Sequence, residues 1–304
     1  MSLQPFKIKI PGSTSNLGPG FDSVGLAVNR FLHVEVQPSE EWHIECHHPD
    51  GKLPGTKDNL VLQTAESICK KYNVDLPSLN IFMSSDIPLA RGLGSSAAAI
   101  VAGIEIADAV GDLALTLEEK AHLASTIEGH PDNATASYYG GLTISHHTNE
   151  TTETLACRAP EVEIIAMIPD SELPTKKARG ILPKDLPFET AIKGSSISNM
   201  LVAALLLKDW ELAGRMMEKD LFHHPYRKEL VPDLSRVTAF CSNNGAIGAA
   251  LSGAGPTIIC FAKKDDGERI TRLLADEFPN YQYQYLSPAV TGAIRYSEPI
   301  QNMS

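Results

Sequence analysis

The chain has 304 residues, 43% hydrophobic and 21% charged, which is enough to bury a large core and predicts two domains, 1–153 and 154–304. Its formal net charge of −11, with no long basic run, excludes sequence-independent binding to nucleic acid or to an anionic membrane. The five cysteines are odd in number, scattered and free of any CxxC pair, so a reduced cytoplasmic setting is expected. Phe6 to Ile10 alternates like a strand and is predicted to end at Pro11-Gly12. MSLQPFKIKIPG carries no apolar signal core, and no run of membrane-spanning length is read anywhere.

Ser13 to Asp22 is a loop dense in turn residues, after which Val24 to Val36 returns to β-like composition. The plain reading is a surface connection between strands. Asn16 and Asp22 nevertheless offer a directional amide and a carboxylate, which suits a polar small substrate. Lys57-Asp58-Asn59 opens a helix-like stretch to Tyr72, with Asp58 as the expected N-cap.

Leu79 to Met83 reads as a strand, followed by Pro88-Leu89-Ala90-Arg91-Gly92-Leu93-Gly94-Ser95-Ser96-Ala97-Ala98-Ala99. Two glycines permit positive φ and close approach of a ligand, and the serines are expected to cap a helix starting near Ser95. A glycine loop feeding a helix N-terminus suits phosphate, although a capped glycine turn explains the same residues. The stretch lacks the lysine of GxxxxGK[ST]. It fits GxGxxA but lies too far from its strand for a dinucleotide fingerprint. Ala97 to Val110 is a small-residue helix, apt for burial against a sheet. Thr116 to Glu119 reads as a capping box, opening a helix that stops at Glu128-Gly129. A glutamate at that end is disfavoured by the helix dipole, so it is either a surface residue or a carboxylate placed for Mg²⁺.

Gly140 to Ser145 looks like a strand of the first domain, and the polar patch Asn149 to Thr154 marks the expected boundary. Glu163 to Ile168 begins a second α/β unit, with helices over Glu189 to Leu207 and Trp210 to Lys219. The paired histidines (His47-His48, His146-His147, His223-His224) lack helical metal-ligand spacing and read as structural or surface residues. Ala246 to Leu251 and Thr257 to Phe261 form a hairpin around Ser252-Gly253-Ala254-Gly255-Pro256.

PLARGLGSSAAA resembles the phosphate loop of the GHMP small-molecule kinases, and SGAGP resembles their third motif. PGSTSNLGPGFDSVGLAV and EGHPDNATAS resemble the homoserine kinase branch in particular. The resemblance implies an α/β (α+β) two-domain fold: an ATP-binding N-terminal domain like ribosomal protein S5 domain 2 and a C-terminal ferredoxin-like plait, with the site in the groove between them. It implies ATP and Mg²⁺ and phosphorylation of the side-chain hydroxyl of L-homoserine. By the same resemblance the nucleotide meets Asn59 and Pro88, Leu89, Ala90, Arg91, Gly92, Leu93, Gly94, Ser95, Ser96, Ala97 and Ala98. Glu128 with Ser95 or Ser96 holds the metal. Arg179 and Arg227 take the substrate carboxylate, Asp22 and Asn16 its ammonium, and His130 lies beside it.

Asn133 is expected to align the hydroxyl, the proton leaving to phosphate or solvent; the rival reading makes Asp22 or His130 a base. The alternatives are a mevalonate kinase-like enzyme and a silent nucleotide- or metabolite-binding relative. Asn133 stands where the first would carry a catalytic aspartate, and Glu128 with both serines speaks against the second. The sequence fixes no oligomeric state, a homodimer being among those it admits.

Overall fold

The computed structural model describes residues 3–49 and 59–297. Strand β1 (Phe6–Ser15) does not stop at Pro11-Gly12, as its composition suggested. The register against β2 (Val24–Pro38) shifts between those two residues, and pairing then continues to Ser15. The extra residues, Asn29 and Arg30, are on β2; a bulge bends a strand without ending it, and β1 runs on opposite it to carry Ser13 and Ser15 into the middle of the molecule. Strand β3 (His43–His47) runs parallel to β4 (Leu79–Ser85), which pairs antiparallel with β2.

Helix α1 (Leu60–Lys71) is capped by Asn59, whose side chain accepts from the N–H groups of Val61 and Leu62. The cap expected at Asp58 is therefore one residue later, and Asp58 itself lies outside the described residues. Helix α2 (Ser95–Gly111) is rich in alanine and isoleucine and is buried on nearly every side, as a central helix must be. Helix α3 (Leu117–Glu128) has the expected capping box and ends on Gly129 in the left-handed conformation. Helix α4 (Asp132–Tyr139) follows directly, then β5 (Leu142–His147) and β6 (Thr152–Cys157).

The turn between β5 and β6 closes a hairpin inside the first sheet. The 153/154 division expected from the threonine-rich patch thus falls within β6, and the sheets part between Cys157 and Val162. Polarity marked a hairpin tip there, and tips and linkers share a composition.

The second sheet opens with β7 (Val162–Ile168). Helices α5 (Thr175–Gly180), α6 (Phe188–Leu207), α7 (Trp210–Met217), α8 (His224–Arg227) and α9 (Leu234–Asn243) come next. Strands β8 (Gly248–Leu251) and β9 (Ile258–Lys263) form the expected hairpin, then α10 (Gly267–Glu277) and β10 (Gln282–Leu286) complete the layer. The antiparallel order β10-β7-β9-β8 is that of a ferredoxin-like plait. The chain then returns to the first sheet as β11 (Ile294–Tyr296), beside β1.

Among the described residues α6 is long and apolar enough to cross a membrane, against the expectation that no such run exists. It contains Glu189 and Lys193, seats Gly194 against the Phe222 ring and buries Leu201, Ala204 and Leu205 in the core shared with the first sheet. Its serines and its asparagine break the apolar run in sequence without breaking the helix.

Candidate active site

A cleft of about 360 Å³ runs between the two sheets, a size suited to a small-molecule site. At one end Leu32, Leu60, Val61 and Met83 form an apolar wall, with Asn59 beside them. Asn59 is thus in the groove, but its carbonyl oxygen is used as the α1 cap.

The next part of the wall is the glycine loop. Gly92 (φ 78°) and Gly94 (φ 77°) are left-handed, and side chains there would collide with the Ser252 carbonyl and Ser13 Oγ. Only glycine lets these three segments meet so closely. They are also bonded together: Ser13 N–H donates to the Leu93 carbonyl, Ser252 Oγ to the Gly92 carbonyl, and Gly253 N–H to the Ser15 carbonyl. The helix N-cap is Gly94, with no side-chain cap bond, so the serines do not cap the helix as expected. The first N–H groups of α2 and the Ser95 and Ser96 hydroxyls therefore face the cleft from its positive end.

The other residues of the loop divide. Pro88, Leu89 and Ala90 line the cleft, whereas Leu93, Ala97 and Ala98 are buried and shape the loop from behind. Arg91 touches the cleft but donates its guanidinium to the carbonyls of Leu89, Pro169 and Asp170, tying the loop to the second domain.

Across from Ser95, Ser96 Oγ donates to Glu128 at 3.0 Å. Burial pushes the Glu128 carboxyl up, outweighing the pull of His130 and of the Ser96 bond. Its negative charge is thus under-compensated. An anionic oxygen beside a hydroxyl and a phosphate-seeking helix end is a donor set that fits Mg²⁺. Two residues on, His130 Nδ1 meets Asp132 at 2.5 Å. Burial pulls His130 down, but Asp132 outweighs it and holds the imidazole above its ordinary range. Asp132 is correspondingly held low. Asn133 accepts from Ser15 Oγ at 2.9 Å and donates to Ser13 Oγ at 2.9 Å, so its amide braces α4 against the C-terminal end of β1.

The far end is charged. Arg179 forks onto Asp22, with Nη1 to Oδ2 at 3.0 Å and Nη2 to Oδ1 at 2.6 Å. The two groups expected to hold opposite ends of a substrate hold one another. Asn16 accepts from the Asp22 N–H and donates to the Gly253 carbonyl, both at 2.9 Å. Asn16, Leu17 and Asp22 all have positive φ, a strain that bracing by these bonds sustains. Arg227 is 1% exposed and donates to the carbonyls of Ala178 and Gly253. Burial and the neighbouring Arg179 pull it down to about 10. The Phe21 ring lies 5.7 Å and 5.5 Å from the two guanidinium carbons, a shared cation–π platform.

Residues 59–141 match the GHMP kinases N terminal domain, and residues 201–280 match the GHMP kinases C terminal domain. The homoserine kinase of Bacillus licheniformis is 48% identical over 290 residues, 95% of this chain and of the relative. That of Halalkalibacterium halodurans is 49% identical over 286 residues, 93% of each. The chain belongs to the homoserine kinase family of the GHMP kinases. In three dimensions, the homoserine kinase of Cytophaga hutchinsonii superposes with a TM-score of 0.83 at 26% identity, covering 97% of this chain and 98% of that one. L. major mevalonate kinase shares the fold, with a TM-score of 0.68 at 20% identity over 93% and 96%.

Within that family frame, every residue singled out from the sequence lies in the cleft wall or directly behind it. Sequence reasoning missed Asp132, Ser13, Ser15, Phe21 and His223. Asp132 had a signal, an acid two residues from a candidate histidine. His223 had a weaker one, the i, i+4 spacing to Arg227.

Proposed function

We propose that the glycine loop binds the phosphates of ATP and that the charged end of the cleft binds L-homoserine, whose side-chain hydroxyl receives the γ-phosphoryl group. The reaction is ATP-dependent phosphorylation of homoserine to O-phosphohomoserine. The observation that carries the assignment of sites is the pairing of two arginines and a carboxylate at one end with a glycine-lined helix N-terminus at the other. Homoserine is zwitterionic, so its carboxylate competes with Asp22 for Arg179 and its ammonium takes Asp22 in exchange. Arg227 adds a second donor to the carboxylate. His130 and Asn16 complete the wall around it.

Glu128 with Ser95 or Ser96 would hold Mg²⁺, which would supply positive charge to the phosphates. Asn133 and His130 orient the hydroxyl, Asn133 through the lone pair left on its amide oxygen. No strong base is used. A phosphoryl transfer with a loose transition state is carried by alignment and charge stabilisation. Asp22 is committed to Arg179, which supports that reading. The five cysteines are unpaired, in keeping with a cytoplasmic setting. A homodimer is among the assemblies the sequence admits, and the exposed Phe188, Ile192 and Leu207 on α6 offer it an apolar surface.

The test is ADP release with homoserine, mevalonate and 3-aminopropanol as acceptors. Homoserine-dependent ADP formation is expected, with mevalonate inert and 3-aminopropanol, which lacks the carboxylate, used far less well. No homoserine-dependent release would mark a silent relative, and equal use of 3-aminopropanol would remove the arginine clamp.

A further inference from the structure

Among the described residues, the guanidinium of Arg227 has one side-chain hydrogen-bond partner besides its two carbonyls. Its Nη1 lies 3.1 Å from Nδ1 of His223, one helical turn earlier. His223 is fully buried, and its Nε2 lies 2.9 Å from the Gly18 carbonyl. A carbonyl only accepts and a guanidinium only donates, so the tautomer is fixed: Nε2 carries the proton and Nδ1 offers its lone pair to Arg227. One imidazole therefore bonds the loop that carries Asn16 and Asp22 at one nitrogen and the buried arginine at the other.

The ring is itself held on several sides. It stacks on Phe21 at 5.2 Å and 26°, and Phe21 is the ring beneath both guanidinium groups. Asp220 accepts from the N–H groups of Phe222, His223 and His224, which fixes the backbone that carries it. His224 Nε2 accepts from the Leu251 N–H. With these atoms engaged, the compact Asp220, His223 and His224 cluster is a structural knot and not a metal site. Among the described residues the protein contacts of Arg227 fall on Nε and Nη1, so Nη2 is the nitrogen available to a ligand.

We propose that His223 is a positioning residue for the substrate, setting Arg227 at a fixed distance from Asp22 so that the clamp matches the close carboxylate and ammonium of an α-amino acid. The proposal rests on the reading of Arg227 as a carboxylate-binding group. A loop free to move relative to Arg227 would still present both charges, but at a variable separation. Affinity then falls, because the site must be ordered on binding.

Two substitutions separate the two jobs of the ring. In His223→Gln the amide nitrogen keeps the bond to Gly18, but Arg227 loses its acceptor. In His223→Asn the amide oxygen stands near the place of Nδ1, and the bond to Arg227 is kept. Each variant breaks the bridge at one nitrogen, His223→Gln at Arg227 and His223→Asn at Gly18, so a KM for homoserine raised about tenfold is expected in both. In both, kcat and the KM for ATP stay within about twofold of native. KM does not depend on the fraction of folded enzyme, so partial misfolding does not disguise the outcome. An unchanged KM in either variant, or a joint loss of kcat and ATP affinity, overturns the proposal. Arg227→Ala in the same assay keeps the underlying reading separate. An unchanged KM there refutes carboxylate binding by Arg227, whereas a raised KM there with a native KM in His223→Gln refutes only the positioning role.

Discussion

The two ends of the cleft are made of different material. The phosphate end is backbone: N–H groups at the start of α2, delivered by one uninterrupted stretch from Pro88 to Ala98 and locked by Ser13 and Ser252. The substrate end is side chains from four separate segments, and each charge there already has a protein partner: Asp22 with Arg179, His130 with Asp132, Arg227 with Gly253, Ala178 and His223. Glu128 stands between the two with its charge under-compensated. The difference predicts a division of labour, in which the first end drives the transfer and the second selects and holds the acceptor.

The largest expected effect is at the junction. Glu128→Gln removes the carboxylate proposed to hold Mg²⁺ and should lower kcat about a hundredfold or more, on the order of 3 kcal/mol, with KM for homoserine little changed. Its stability should move the other way. A carboxyl raised by burial holds its proton more tightly folded than unfolded, so its favourable contribution is present at low pH and lost as pH rises. Near neutrality the neutral isostere should melt no lower than native, and slightly higher in the absence of metal. A lower midpoint would contradict the burial argument.

Next in size is the clamp. Arg227→Ala should raise KM for homoserine about 10–100-fold, about 1.5–3 kcal/mol for a charge-assisted bond, with ATP affinity unchanged. It should also destabilise the fold, since His223 Nδ1 and the Gly253 carbonyl lose a buried partner.

The buried histidines beneath the clamp give a pH signature. Burial lowers His223 to about 3 and His224 to about 4. They are neutral when folded and bind protons once unfolded, near a reference value of ~6.5. Their contribution is therefore complete above that value and lost as pH falls toward the folded values. Denaturant titrations between pH 6.5 and 4, a window of about 2.5 units, should show a fall of up to about 1.4 kcal/mol per pH unit for each histidine. His223→Asn should flatten the slope, and an unchanged slope would mean that the ring is not buried neutral.

The smallest effect concerns the Asp22–Arg179 fork. Both side chains are about one-third exposed, at 32% and 34%, so solvent screens the pair. A double-mutant cycle on folding stability should give less than about 1 kcal/mol of coupling. The same cycle on KM should give more, because substrate exchanges with the pair.

This contrast also explains what was legible in the sequence. A backbone-built site needs glycines and a helix start in one contiguous run, and Gly92 to Ser96 showed it directly. The charged residues were found through their resemblance to homoserine kinases, but not their partners. Nothing local to Asp22 announces Arg179, 157 residues away, and Asn133 gives no sign that Ser13 and Ser15 will occupy its amide. The plait was likewise expected only through the family resemblance, and the strand order β10-β7-β9-β8 agrees with it. The bulge opposite Pro11-Gly12 was not expected, because proline and glycine end strands more often than they bend them.

The division of labour is tested most directly by kcat of Asp22→Asn at saturating homoserine. On the proposed reading Asp22 holds the acceptor and takes no proton, so kcat should stay within about tenfold of native while KM rises. A roughly thousandfold loss of kcat with KM unchanged would show that the carboxylate acts in the transition state, and the two ends would then not be separable.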